Sequence, residues 1–391
     1  MTPGARIQAA IEILDGVIAA ARTQGAAADT IIARYFADRR YAGSKDRRAV
    51  RDLVYQAIRA LGELPVSGRA AMLAVTPDAD RDLLFTGEGH APAPIKAGEP
   101  IAATGVAPAW LLERLEASDI DAAAVADMVT QRAPLDLRVN ALNATVEQVK
   151  RQLVDVETIP GLPFGLRLPG GADATALVGT AEVQDAGSQF VAMAAGAAPD
   201  MAVVDLCAGG GGKTLALAAD MADRGTILAC DVGRDRLAKL APRAERAGAT
   251  IIEPRLLDPG KEAAQLGDWQ GRADIVLIDA PCSGTGTWRR NPETRWRLSP
   301  DRINAVRRSQ AHLLGIGAAL VKPGGRLCYA VCSLLDDEGA AQIDAFVAAH
   351  PAWQVEKPSI PLGTPRGHGV RLTPAKESTD GFFIATLRAP W

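Results

Sequence analysis

Val203-Val204-Asp205-Leu206-Cys207-Ala208-Gly209-Gly210-Gly211-Gly212-Lys213-Thr214 reads as a short apolar strand running without a break into four glycines and then a helix. Consecutive glycines let the backbone at a helix N-terminus come close to a ligand. Gly-Gly-Lys-Thr also resembles the end of a phosphate-binding P-loop. That pattern requires a glycine five places before Gly212, where Cys207 stands, so the NTPase reading fails at its first position.

Outward from this stretch, short apolar β runs alternate with helical ones. Ala202 to Leu206 precedes a helix from Lys213, Thr226 to Ala229 precedes a helix from Arg234, and Thr250 to Glu253, Asp274 to Ile278 and Arg326 to Val331 follow. The alternation predicts an α/β, Rossmann-like fold with a mostly parallel sheet and helices on both faces. A last run, Gly381 to Leu387, follows a polar loop and is expected to enter antiparallel. Asp231 ends a strand about 20 residues after the glycines, where such folds bind ribose hydroxyls. Asp258 follows the third strand and Asp279 ends the fourth. With Asp205 they place four acidic positions near strand ends, which suits a cationic sulfonium such as S-adenosylmethionine better than a polyphosphate. Singly, each aspartate reads as a helix or turn cap; their repetition favours the ligand.

The 391 residues, 48% hydrophobic and 23% charged, describe a globular chain of two or three domains at roughly 150 residues each. With 43 basic residues against 46 acidic ones, any nucleic-acid binding must rest on local basic patches. The five cysteines all lie in the C-terminal half without a disulfide framework. Cys328 and Cys332 stand about 13 Å apart on a strand, too far to bridge or to share zinc. Scattered histidines give a metal site no support. No apolar run reaches membrane-spanning length, and Glu12 and Asp15 interrupt the N-terminal helix pattern, unlike a signal peptide. A reduced, cytoplasmic, monomeric protein without metal or membrane contact is expected.

Cys282, in Asp279-Ala280-Pro281-Cys282-Ser283-Gly284-Thr285-Gly286, and Cys332, in Ala330-Val331-Cys332-Ser333, each follow a β run. If those strands are neighbours, both thiols emerge at one sheet edge beside the cofactor crevice. Carbon 5 of a pyrimidine is a weak nucleophile; thiolate addition at carbon 6 makes it enamine-like and able to take a methyl group. Cys328, Cys230 and provisionally Cys207 read as buried core thiols.

Asp-Leu-Cys-Ala-Gly-Gly-Gly-Gly-Lys-Thr, Asp-Ala-Pro-Cys-Ser-Gly-Thr-Gly and Tyr-Ala-Val-Cys-Ser together resemble the Sun/Fmu family of bacterial ribosomal RNA cytosine-5 methyltransferases. Pro108-Ala109-Trp110-Leu111-Leu112, Leu137-Arg138-Val139-Asn140, Val183-Gln184-Asp185-Ala186-Gly187-Ser188-Gln189 and Asp380-Gly381-Phe382-Phe383 extend the likeness over residues 106–391. The resemblance implies methylation of carbon 5 of a cytosine in RNA, small-subunit rRNA above all, through a covalent Cys332 adduct. It implies Cys282 in adduct release and Asp279 at the cytosine ring. It places S-adenosylmethionine contacts on Cys207, Ala208, Gly209, Gly210, Gly211, Gly212, Lys213, Asp231, Arg236, Asp258 and Asp279. Two departures stand out: the family commonly has proline at Gly210 or Gly211 and threonine at Val331. DNA cytosine-5 methyltransferases attack with the cysteine of a Pro-Cys motif, so chemistry alone nominates Cys282, and only the resemblance chooses Cys332. A methyltransferase for DNA or protein, and a non-catalytic RNA-binding scaffold, are the competing readings.

Between Thr287 and Arg308 seven arginines (Arg289, Arg290, Arg295, Arg297, Arg302, Arg307, Arg308) face only Glu293 and Asp301, with Trp288 and Trp296 interleaved. The pattern suggests a surface that grips phosphates and stacks bases, with Arg289, Arg290, Arg295 and Trp288 as RNA contacts. Residues 34–59 hold eight basic residues against three aspartates, a second candidate RNA surface. Helical spacing covers residues 5–23 and 27–38, and Ser44 opens a helix through Leu61 that resembles part of a NusB-type RNA-binding domain. Three glycines and three prolines between Gly87 and Pro100 suggest a boundary. The expected organisation is a helical domain over 1–100, a helical connector with a small mixed α/β (RRM-like) lobe over 101–182, and a catalytic domain over 183–391.

Overall fold

The computed structural model describes residues 1–391. It divides into two compact units, Met1–Gln131 with Thr287–Ser299, and Arg132–Gly286 with Pro300–Trp391.

The first unit is helical, with helices at Pro3–Thr23, Ala28–Ala37, Ser44–Ala60, Gly68–Val75, Asp78–Leu84, Ala109–Glu116 and Ala122–Thr130. Apolar positions at helical spacing supply its core, where Leu14, Val17, Val54, Ile58, Met72 and Leu73 are fully buried. Thr2 starts the first helix, its hydroxyl accepting from the Ala5 amide at 3.2 Å with Pro3 at the first helical position. The expected boundary at residue 100 is not where the units part. The Ala102 amide donates to the Ala70 carbonyl (3.1 Å) and the Gly105 amide to the Ala60 carbonyl (2.9 Å), while Arg69 pairs with Glu99. These bonds hold the glycine- and proline-rich stretch on the helices, so residues 101–131 stay with the helical unit.

The arginine-tryptophan segment is the main correction. Trp288 and Arg295 are completely buried and Arg289 nearly so. Arg295 donates to the carbonyls of Leu61 (2.9 Å) and Arg59 (3.4 Å) and also bonds those of Ile58 and Pro292; the Trp296 indole N–H donates to the Leu61 carbonyl at 3.0 Å. The carbonyls of Ile58, Arg59 and Leu61 end the Ser44–Ala60 helix, where an α-helix leaves acceptors without partners. Arg297 likewise binds the Gly25 carbonyl (2.9 Å) beyond the first helix, and Glu293 accepts from the Ala28 amide (3.1 Å) that opens the second. Residues 287–299 are therefore a strap that caps three helices, and Trp288, Arg289 and Arg295 have no surface to offer RNA. Charge counting failed because backbone carbonyls, and not phosphates, are the acceptors. Arg290 alone of the four expected RNA contacts stays partly exposed.

The second unit holds two sheets. The smaller has strands β1 (Leu135–Val139), β2 (Glu157–Thr158), β3 (Gly165–Leu168) and β4 (Ala181–Val183) in the order β2-β3-β1-β4, all antiparallel. The larger contains β5 (Ala202–Asp205), β6 (Thr226–Asp231), β7 (Ile252–Leu256), β8 (Ala273–Asp279), β9 (Val321–Val331), β10 (Gln354–Glu356), β11 (Thr364–Arg366), β12 (Gly369–Leu372) and β13 (Phe382–Arg388). Its order is β11-β12-β13-β9-β8-β5-β6-β7, with β10 also on β13. Strands β5 to β9 are mutually parallel and β13 enters antiparallel against β9, as the sequence predicts. Two strands start elsewhere than expected: β9 begins at Val321, ahead of Arg326, and β7 begins at Ile252, with Thr250 held instead by Asp223 through its amide (2.8 Å) and hydroxyl (2.7 Å). Pro254 is tolerated because β7 is an edge strand.

Successive strand residues point to opposite faces. Val204, Val276 and Tyr329 pack on one side with Leu313 and Leu314 of the helix Pro300–Leu320. Val203, Ile275 and Cys328 pack on the other with Phe190 of Ala186–Ala195 and Leu217 of Gly212–Asp220. The chain runs outward from β5 in one direction to β6 and β7 and in the other to β8 and β9. This reversal opens a crevice beyond the carboxyl ends of β5 and β8.

Candidate functional site

A cleft of about 620 Å³ occupies that crevice. Cys207 to Gly210 form one wall, Asp231 and Arg236 another, and Asp279 with Cys282 and Cys332 the floor. The glycine turn owes its shape to residue type. Gly211 has φ of +87°, and a β-carbon there would stand 2.2 Å from Leu240 Cδ1. Asp231, at the tip of β6, accepts from the amides of Gly209 (2.8 Å) and Gly233 (2.6 Å) and from Arg236 (2.8 Å). It is thus the clamp of the turn, with acceptor capacity left for one more donor.

The thiols meet because β8 and β9 pair in parallel with Asp279 opposite Ala330, so the loops that follow leave the sheet side by side. The Cys282 and Cys332 sulfurs lie 3.3 Å apart. The Gly286 amide donates to the Cys332 carbonyl (3.1 Å), and Gly381 donates back to the Gly286 carbonyl (2.8 Å). A β-carbon on Gly286 would come within 2.1 Å of the Gly381 oxygen. That close approach packs Ser-Gly-Thr-Gly directly against Asp-Gly-Phe-Phe and leaves no room for a side chain at position 286. Asp185 is a brace of the same kind, accepting from the Gly187 amide (2.7 Å) and the Asp380 amide (3.1 Å).

Charge is arranged unevenly around the sulfurs. Lys213, expected as a cofactor contact, does not line the cleft but pairs with Asp279, with Nζ 2.6 Å from Oδ2. Burial by itself lowers the Lys213 ammonium, but Asp279, together with Cys332 and Asp205, outweighs it and holds the pKa above its usual value. The Cys282 thiol is pushed far up by its contact with Cys332, by burial and by the Glu338 carboxylate. The Cys207 thiol rises through burial and the carboxylates of Asp205, Asp279 and Asp231. Of the two sulfurs that touch, it is Cys282 whose proton this environment holds more tightly than usual.

Asp205 lies beneath the glycine turn, fully buried, with the Thr214 hydroxyl donating to it at 2.7 Å. Burial lifts its pKa from 3.8 to about 7, with Asp279 adding to the effect. The native state therefore binds more protons than the unfolded chain between those values, and stability falls as pH rises through that window. We expect Asp205→Asn to remove roughly 4 kcal/mol of this pH-dependent penalty above neutrality. Chemical denaturation of both proteins at acid and neutral pH measures it; equal pH slopes would show that Asp205 ionises freely.

Most expected site residues converge, but not all. Cys207, Ala208, Gly209, Gly210, Asp231, Arg236, Asp279, Cys282 and Cys332 line the cleft, while Gly211 and Gly212 shape the turn behind it. Asp258 does not line it; it is exposed and engages Gln265, while its neighbours Leu257 and Pro259 face the cleft. Cys230 and Cys328 are buried core residues, as read. No sequence signal points to Ser309, His312 and Leu313, which reach the cleft from the helix Pro300–Leu320. Isolated positions on a long helix carry no motif. No helix is long and apolar enough to cross a membrane, and no cluster of side chains is placed to hold a metal ion.

Comparison with known proteins agrees with this architecture. A family model described as 16S rRNA methyltransferase RsmB/F matches residues 192–388. The probable ribosomal RNA small subunit methyltransferase B of Synechocystis is 38% identical over 303 residues, covering 72% of this chain. Ribosomal RNA small subunit methyltransferase B of Salmonella arizonae is 35% identical over 291 residues, again 72% of this chain. The matches span 66% of the length of each relative. Among solved structures, PH0851 superposes with a TM-score of 0.81 at 26% identity, over 99% of both chains. A methyltransferase homolog protein from Pyrococcus horikoshii gives 0.60 at 25% identity, over 72% of this chain and 99% of its own. With the family model covering half of its residues, the chain belongs to the RsmB/F family of 16S rRNA methyltransferases.

Proposed function

We propose that this protein methylates carbon 5 of a cytosine in small-subunit ribosomal RNA, with S-adenosylmethionine as donor and Cys332 as nucleophile. The observation that carries the reading is the 3.3 Å juxtaposition of Cys282 and Cys332 on the floor of the same cleft that the glycine turn lines. The cleft fits the donor: its volume is within the range of small-molecule sites, the backbone of Gly209 and Gly210 adds no side chain, and Asp231, Asp279 and Glu262 suit a cation bearing a ribose. Cys207 to Gly210, Asp231 and Arg236 would hold it. When bound, S-adenosylmethionine supplies an electrophilic methyl group on a sulfonium.

The chain's own groups prepare the base. The Cys332 thiolate adds to carbon 6 of the cytosine, and electron density moves to carbon 5. Lys213, beside Asp279, offers positive charge where the thiolate resides. Asp279 faces the ring and favours protonation at N3. After carbon 5 is methylated and gives its proton to solvent, the electrons of that C–H bond restore the ring double bond, the bond from Cys332 to carbon 6 breaks with sulfur leaving as thiolate, and Cys282 assists this release. The cytosine must leave its stack to enter the cleft. With the strap excluded as an RNA grip, Arg302 and Arg308 are the exposed basic residues on the helix that also supplies Ser309 and His312. Arg290 and the 34–59 stretch, where Arg40, Arg47 and Arg48 are exposed, provide further contacts.

Incubation of the protein with methyl-labelled S-adenosylmethionine and small-subunit rRNA, DNA or protein tests the reading. Label recovered as 5-methylcytosine from RNA is expected. Label in another nucleoside, or only in DNA or protein, overturns it.

A further inference from the structure

The two loops that carry the thiols are tied to one carboxylate that the proposed reaction does not use. Glu338 is fully buried. Its Oε1 accepts from the Ser333 hydroxyl at 2.7 Å, and its Oε2 accepts from the Ser283 amide at 2.8 Å and from Gln310 Nε2 at 3.0 Å. Ser283 directly follows Cys282 and Ser333 directly follows Cys332. The two serine hydroxyls lie 3.1 Å apart, Thr285 Oγ1 lies 3.1 Å from Ser333 Oγ, and the Tyr329 hydroxyl donates to the Glu338 carbonyl at 2.6 Å. Every one of these partners is neutral. None of them is a counter-ion to the carboxylate, and a medium from which water is excluded screens its field weakly.

The field is therefore different at the two sulfurs. Negative charge from Glu338 bears on Cys282, while the ammonium of Lys213, paired with Asp279, bears on Cys332. We propose that Glu338 is the positioning residue that makes the two thiols unequal, bracing both loops and keeping the shared proton on Cys282 so that Cys332 is the thiolate. The proposal deepens the functional reading above and rests on its choice of nucleophile.

Glutamine at this position separates charge from shape. Its amide oxygen can replace Oε2 as acceptor for Ser283 and Gln310, while its NH₂ group donates to Ser333, whose hydroxyl can turn toward Thr285. The test is alkylation of the full-length, reduced protein with iodoacetamide over a pH series, with initial rates at Cys282 and Cys332 read by mass spectrometry. In the unaltered protein Cys332 reacts ahead of Cys282 and with the lower pH midpoint. In Glu338→Gln the Cys282 midpoint falls and the rate ratio narrows by roughly tenfold, equivalent to one pH unit in a thiol's midpoint. Glu338→Asp, which keeps the charge, retains the original order. Faster reaction of Cys282 in the unaltered protein overturns the proposal without any variant. So does a Gln variant with unchanged midpoints, or an Asp variant that behaves like Gln. Alkylation needs neither RNA nor donor, so absent methyl transfer with this order intact would sink the functional reading and leave the role of Glu338 standing.

Discussion

Cys332→Ala loses methyl transfer by a factor of roughly 10⁴ or more, and no covalent protein–RNA species forms. Removing a nucleophile takes away the covalent route itself, an effect of several orders of magnitude. Cys282→Ala behaves differently. Its Cys332 still attacks, but release of the methylated base is impaired, so a protein–RNA adduct resistant to denaturant accumulates. Denaturing gels of single-turnover reactions, with methyl incorporation counted in parallel, distinguish the two variants. The structure alone makes the assignment contestable, since both sulfurs line one cleft and touch each other. An adduct formed by Cys332→Ala would transfer the nucleophile's role to Cys282.

Arg295→Ala is expected to destabilise the helical unit by roughly 3–5 kcal/mol, the range for removing a buried charge that bonds several partners. The substitution removes a donor from the carbonyls of Arg59 and Leu61, the latter keeping only the Trp296 indole, and opens a cavity where a completely buried side chain stood. The loss concentrates at the end of the Ser44–Ala60 helix, and native-state hydrogen exchange of its last turn should accelerate by roughly a hundredfold or more. Burial already drags the Arg295 guanidinium down to about 9, with Arg59 adding to the effect and Glu293 opposing it. Lysine is a poor replacement, because one ammonium cannot bond the same spread of carbonyls. If exchange were unchanged while RNA binding weakened, the residue would be a phosphate contact after all.

The same segment shows where sequence reading stops. Arginine is suited to phosphates and to carbonyls alike, and the spacing of Arg295 and Arg297 does not say which acceptors the fold brings up. The helix ends that claim them lie more than two hundred residues earlier in the chain. Asp258 is a milder case: it follows a strand end as the pattern requires, but Gln265 engages it outside the cleft. Glu338 was hidden for the opposite reason. Within Asp336-Asp337-Glu338 it resembles a solvated acidic run, and only the packing of β9 and the helix Pro300–Leu320 buries it.

Local order was determined by the chain's own periodicity: strand, glycine turn and helix from Val203 to Thr214, the parallel succession of β5 to β9, and both cysteines just past strand tips. These features follow from steric and apolar patterning over a few residues, which any reader of the sequence can see. What faces what was decided only in three dimensions. Pairing of β8 with β9 brought the sulfurs to 3.3 Å, folding of the strap turned basic residues inward, and burial raised the Asp205 pKa and enclosed Glu338 among neutral donors. Contacts between distant segments and the exclusion of water set those properties, and neither is encoded in any short stretch of residues.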